Sequence, residues 1–102
     1  MYKLDYLPLA LQDMVDIAKY ISQDLGNPIA AEKLVDEMIE AADKLVDFPY
    51  LYAIHQLVKP LNYEYRKLII NNYIMFYRVD EKNKQVTISR VIYARREYEN
   101  IL

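Results

Sequence analysis

Tyr65-Arg66-Lys67-Leu68-Ile69-Ile70-Asn71-Asn72-Tyr73-Ile74-Met75-Phe76-Tyr77-Arg78-Val79 decides the fold of this 102-residue chain. Both arms are rich in β-branched and aromatic residues, and Asn71-Asn72 between them suits a tight hairpin turn. The polar run Asp80-Glu81-Lys82-Asn83-Lys84 makes a second turn. It leads into Gln85-Val86-Thr87-Ile88-Ser89-Arg90-Val91-Ile92-Tyr93-Ala94, closed by Arg95-Arg96. The pattern predicts three consecutive antiparallel strands over residues 63–71, 73–79 and 85–94, with basic side chains gathered at strand ends.

Upstream the periodicity is helical. Tyr2 to Tyr6 alternates as an edge strand does. Pro8 then stands where a first helical turn tolerates a missing N–H. Leu7, Leu11, Met14, Val15, Ala18, Ile21 and Leu25 form an apolar stripe at helical spacing. Gly26, the single glycine, predicts the stop. Asn27-Pro28 predicts an N-cap and first position for a second helix, whose stripe runs Ala31, Leu34, Val35, Met38, Ala42, Leu45 to about Asp47. So short a connection makes the two helices an antiparallel hairpin. Asp13, Asp16, Asp24, Glu32, Asp36, Glu37, Glu40, Asp43 and Asp47 are expected on the outer, solvated faces. Phe48-Pro49 ends the second helix, and a loop is expected over residues 49–62. The expected class is α+β, order β-α-α-β-β-β: a two-helix antiparallel hairpin packed on a mainly antiparallel four-stranded sheet, one domain over residues 1–102.

A chain of this size buries about 65% of its unfolded surface, enough for one core. With no cysteine, disulfides, thiolate zinc sites and thiol catalysis are excluded. One histidine, His55, makes a metal site an unsupported expectation, and with no neighbouring carboxylate its default role is packing in the loop. One glycine cannot build a phosphate-cradling loop, and neither Ser22 nor Ser89 sits in a nucleophile elbow. No cofactor is implied. No apolar run approaches the ~20 residues of a membrane span, and a cytoplasmic protein with no membrane partner is expected.

The net charge of −2 hides a dipole. Residues 1–57 carry four lysines against ten acids, whereas residues 58–102 carry nine bases against five acids. The sheet half is thus the basic half. Arg66, Arg78, Arg90, Arg95 and Arg96 lie on or just beyond the strands, and arginine suits phosphate and carboxylate better than lysine. Arg78 and Arg90, inside apolar strands, are expected to pair with Asp80, Glu81, Glu97 or the acidic helices. For Arg66, Lys67, Arg95 and Arg96, which cluster, a binding surface and pairing with nearby acids are both open readings. Tyr63, Tyr65, Tyr73, Tyr77, Tyr93 and Tyr98 fall near them, mostly to fill a half-buried sheet face.

The order of elements, with Ala10-x-x-Asp13-x-x-x-Ile17-x-x-Tyr20-Ile21, Pro28-x-Ala30-Ala31, Leu45-x-x-x-Pro49, Arg66-x-Leu68, Tyr73-x-x-x-Tyr77-Arg78-Val79 and Arg90-Val91-x-x-x-Arg95-Arg96, resembles the RelE/ParE superfamily of toxins from bacterial type II toxin–antitoxin systems. The resemblance implies an antitoxin partner whose flexible segment wraps the toxin. It implies one of two targets. RelE-like members cleave mRNA on the ribosome with basic side chains and a terminal tyrosine or histidine; ParE-like members poison DNA gyrase. As a nuclease the chain would use Arg96, Lys67, Arg66 and Tyr98 as catalytic groups. As a partner-binding surface the resemblance points to Arg95, Arg96, Arg66 and Tyr93. RelE-like nucleases tend to carry an arginine directly after the tyrosine that opens the central strand; here Tyr73 is followed by Ile74. The Arg90-Val91 to Arg95-Arg96 ending looks more ParE-like. The expectation is therefore a gyrase-inhibiting toxin, with an mRNA endonuclease or a non-toxic antitoxin-binding partner as alternatives.

Overall fold

The structure, a computed structural model, describes residues 1–54 and 64–95. Strand β1 (Lys3–Tyr6) leads into helix α1 (Pro8–Lys19), which a π-helical turn (Tyr20–Asp24) extends. Helix α2 (Pro28–Lys44) and strands β2 (Arg66–Ile70), β3 (Tyr73–Asp80) and β4 (Gln85–Tyr93) follow. The α+β class and the β-α-α-β-β-β order are as expected. The sheet order is β1-β4-β3-β2: β2, β3 and β4 form an antiparallel meander, and β1 joins β4 in parallel.

The local signals act as their chemistry requires. Asn27 accepts from the Ala30 N–H through its side chain (3.1 Å), meeting a donor the first turn of α2 leaves without a helical partner. Pro28 takes the first position of α2. Gly26 stands at φ +63°, where a Cβ would be strained. Asn71, at φ 52°, turns the two-residue hairpin that pairs Ile70 with Tyr73. Asp80 braces the second turn by accepting from the backbone and side-chain nitrogens of Asn83, at 3.1 and 2.7 Å.

One helix differs from its sequence reading. The stripe from Leu7 to Leu25 predicts a single α-helix, but α-geometry ends at Lys19 and the next turn is π-helical. Leu25 donates to the Tyr20 carbonyl at 3.0 Å, and Asn27 donates back to Ile21 at 3.0 Å. The turn holds one residue more than an α-turn, so apolar spacing continues while the face it presents rotates. Helix α2 closes at Lys44, and tighter turns carry the chain to Asp47.

The helices cover one face of the sheet, where Met14, Met38 and Leu45 meet Leu68, Met75, Tyr77 and Ile88. A second buried cluster, Tyr65, Ile74, Phe76 and Ile92, occupies the opposite face. Burial on both faces explains why Ile74-Met75-Phe76-Tyr77 reads as an unbroken apolar run rather than an alternating one. Tyr77, fully buried, donates its hydroxyl to the Pro49 carbonyl at 3.0 Å, which ties the segment after α2 to the core. Ile54 bridges to Arg66, so the start of β2 is covered by that same segment. Among the described residues no helix is long and apolar enough to cross a membrane.

Candidate functional site

The basic residues separate once the register is known. Arg66 lies opposite Tyr77, and Tyr93 lies opposite Tyr73 at the hairpin end of β3. The four-residue step between them is about 13 Å at strand rise, and Arg95 lies two residues further on. Arg66 and Arg95, expected to share one surface, therefore mark opposite ends of the sheet. Adjacency along the chain hid this, because β2 and β4 are both read against β3. Arg96, Tyr98 and His55 lie outside the described residues.

Each described arginine has its own surroundings. Arg66 donates through Nη1 to the Tyr52 carbonyl (2.8 Å), and its guanidinium lies 4.9 Å from the Tyr50 ring centroid. It shares a polar depression of about 580 Å³ with Arg78, Glu64 and Asp80. Lys67, next on β2, is half-buried and opposite Phe76. Arg95 is exposed.

Arg90 bears out the expectation that it pairs with an acidic helix. Its Nε donates to Asp13 Oδ2 at 2.7 Å and its Nη2 to Asp13 Oδ1 at 2.9 Å. The Val91 N–H joins them on Oδ2 at 2.9 Å. The hydrogen bonds to the carboxylate raise the guanidinium pKa above its ordinary value. Asp13 is thus no solvated outer-face acid, as helical spacing suggested; its side chain is 15% exposed. The fold supplies the reason. β1 runs beside β4 only as far as Ile88, where Leu7 donates the last bond of the ladder. A bulge at Ser89 comes next, since Phe76 pairs with Arg90 and Tyr77 with Ile88. Beyond it no strand among the described residues pairs with that edge of β4, and α1 brings Asp13 to meet it.

That uncovered edge and α1 enclose a cavity of about 590 Å³, lined in part by Asp13, Asp16, Tyr20, Leu25, Tyr73 and Tyr93. The Tyr73 and Tyr93 rings meet edge to face at 5.7 Å between centroids and 68°. Burial, with the nearby phenols of Tyr20 and Tyr93, raises the Tyr73 hydroxyl pKa. Sequence reasoning put Asp13, Asp16 and Tyr20 on the helices and Tyr73 and Tyr93 among the basic groups. The Ala10-x-x-Asp13-x-x-x-Ile17-x-x-Tyr20 spacing sets Asp13, Ile17 and Tyr20 on one side of the helical segment, and Asp16, three residues after Asp13 and four before Tyr20, joins them.

At the far end of the sheet, Glu81 gathers Tyr2, Tyr50 and Lys84 as donors. Lys84 chiefly, then the two phenols, hold its carboxyl at about 2, against an ordinary 4.5. Tyr50 is raised in turn to about 12, first by its bond to Glu81. The cluster fastens β1, the segment after α2 and the β3–β4 turn together. Among the described residues no group of three metal-ligating side chains occurs.

The same four-stranded mixed sheet with a helical hairpin on one face is found in solved structures. The chain superposes on one from the chromosomal ParDE system of P. aeruginosa with a TM-score of 0.73, at 22% identity over 91% of this chain and 96% of that one. The RelBE2 toxin–antitoxin complex of Mycobacterium tuberculosis gives 0.65 at 18% identity, covering 90% and 96%. The archaeal RelE–RelB complex of Pyrococcus horikoshii gives 0.63 at 15% identity, covering 93% and 97%. No curated protein matches the chain in sequence. The family model for the ParE toxin of type II toxin–antitoxin systems matches residues 4–98, and the chain belongs to that family.

Proposed function

We propose that this toxin is held inactive by a cognate antitoxin and, once free, arrests growth by interfering with DNA gyrase rather than by cutting mRNA. The observation that carries this reading is Ile74. It occupies the position after the strand-opening tyrosine where RelE-like nucleases tend to carry an arginine, and it is 5% exposed within the apolar cluster of Tyr65, Phe76 and Ile92. Arg90 and Arg66 support it, since Asp13 and the Tyr50–Tyr52 segment already engage them. A nuclease must supply both proton transfer and charge stabilisation; beside Arg66 the described groups able to move a proton include Glu64 and Asp80, and hydrogen bonds from Asn83 lower the pKa of Asp80.

The antitoxin partner is inferred from the family and from the neighbours solved as toxin–antitoxin complexes. Tyr93 at the end of β4 and Arg95 just beyond it, with Arg96 next in the sequence, are proposed to receive an acidic part of it, so charge reversal at Arg95 and Arg96 should weaken the complex and its salt dependence together. The target is tested with purified protein in two reactions, one with translating ribosomes and one with gyrase and supercoiled DNA. Gyrase-dependent DNA breakage with intact message is expected. Codon-positioned mRNA cleavage that Arg96→Ala abolishes would overturn the proposal in favour of the endonuclease. Silence in both reactions would leave a non-toxic antitoxin-binding partner.

A further inference from the structure

The cavity between α1 and the uncovered end of β4 has the chemistry of a cation receptor. Tyr20, Tyr73 and Tyr93 supply aromatic surface, and no lysine or arginine lines it among the described residues. The edge-to-face pairing of Tyr73 with Tyr93 leaves both faces of one ring clear of its partner. The Asp13 charge is matched by Arg90, whereas among the described residues Asp16 accepts from the neutral amide of Gln12, at 2.8 Å. Large side chains stay uncovered here: Tyr20 is 50% exposed, Leu25 58% and Tyr93 38%. The π-helical turn is what brings Tyr20 and Leu25 to one wall, through the bond from the Leu25 N–H to the Tyr20 carbonyl.

The surroundings suit a polypeptide better than a free ion. Leu9, exposed, continues the Asp13–Asp16–Tyr20 stripe toward the start of α1. In the other direction Leu25, Asn72 and Tyr73 also border a second depression, lined by Ala30 and Leu34. The two depressions adjoin through these shared residues and make one groove, anionic and aromatic in the first and mixed apolar and amide in the second, where Asn27 and Asn71 join Ala30 and Leu34.

We propose that this groove docks a segment of the protein partner and that its central cavity receives an arginine side chain from that segment. The guanidinium would lie against the tyrosine rings and donate to Asp16, with its aliphatic stem along Ile17 and Leu25. This rests on the antitoxin reading above but assigns a different place and the opposite charge: a basic anchor in the groove, beside the acidic part received at Arg95.

The test uses the isotope-labelled full chain and two blocked pentapeptides, each with leucines flanking a central residue, arginine in one and neutral citrulline in the other. The arginine peptide is expected to shift the ring signals of Tyr20, Tyr73 and Tyr93 saturably, and to bind about fivefold to thirtyfold more tightly than its citrulline twin. Asp16→Asn, its amide spectrum otherwise unchanged, should bring the arginine peptide closer to the citrulline level, the tyrosine rings keeping part of the preference. Equal binding of both peptides, or no saturable shift, would overturn the assignment. Ring shifts produced by raising protein concentration alone would give the groove to a second copy and overturn it too. The gyrase and ribosome reactions, run on the same preparation, separate this outcome from failure of the proposed function.

Discussion

Replacing Asp13 with alanine should be among the most damaging single changes on the surface of α1. Its carboxylate accepts three hydrogen bonds, two from Arg90 at 2.7 and 2.9 Å and one from the Val91 N–H at 2.9 Å. The two side chains are only 15% and 17% exposed. An exposed ion pair contributes at most about 1 kcal/mol, whereas breaking a buried one costs about 3–5 kcal/mol. A pair that keeps about a sixth of its surface falls near the lower end of the buried range, so about 3 kcal/mol is expected. Part of that is the Val91 N–H, left facing the edge of β4 without an acceptor. At about 4–5 °C per kcal/mol for a chain of this length, Tm should fall by about 12–15 °C.

Asp13→Asn keeps one acceptor for Val91 but turns amide hydrogens toward the guanidinium donors, so about 2 kcal/mol is expected. Arg90→Met leaves the Asp13 carboxylate with its bond from Val91 but without its cation, which should cost about 3 kcal/mol, as Asp13→Ala does. The double variant Asp13→Ala/Arg90→Met should fall short of the sum by about 1–2 kcal/mol, since the two side chains act as one unit. Urea denaturation at neutral pH measures all four proteins. A loss below 1 kcal/mol for Asp13→Ala, or strictly additive singles, would refute the view that this pair closes the sheet edge.

Glu81, held at about 2 against 4.5, contributes stability that is fully present above pH 4.5 and lost as pH falls toward 2; Glu81→Gln should flatten that acid limb in denaturation midpoints taken across the window. Tyr50, raised to about 12, contributes stability present below pH 10 and lost as pH rises toward 12, so Tyr50→Phe should flatten the alkaline limb in the same measurement. Gly26→Ala meets no atom within 4 Å but must adopt φ +63°, so thermal denaturation should show a loss of about 1 kcal/mol from backbone strain alone. Tyr77→Phe leaves the Pro49 carbonyl without its buried donor and should cost about 1–2 kcal/mol by the same assay, with the fold retained.

The elements were legible because their signals are local. Asn27-Pro28 opens α2, Gly26 and Asn71 adopt the left-handed backbone they suit, and the apolar runs of β3 and β4 become central strands. The π-helical turn was not legible, since an added residue leaves the stripe through Ile21 and Leu25 intact while rotating the backbone beyond Lys19. Nor was the parallel seat of β1 on β4, which depends on where the chain returns after both helices. Tyr2 to Tyr6 alternates whichever neighbour it has.

Sites depend on register more than on composition, and that is why the arginines could be counted but not sorted. Along the chain Arg90 and Arg95 look alike. In the sheet, five residues separate a guanidinium bound to Asp13 from one that is exposed. The same register parts Arg66 from Arg95 and brings Tyr73, from the strand that looked basic, against Tyr20, from the half that looked acidic. The charge dipole of the sequence therefore does not become two opposed surfaces. Where α1 crosses the end of β4 the acidic and basic halves interleave, one carboxylate matched by Arg90 and the next, Asp16, left for a partner. On the two docking proposals above, an antitoxin segment reading this side would carry both signs of charge. Neither the low net charge nor the arginine-rich ending of the chain conveys that requirement by itself.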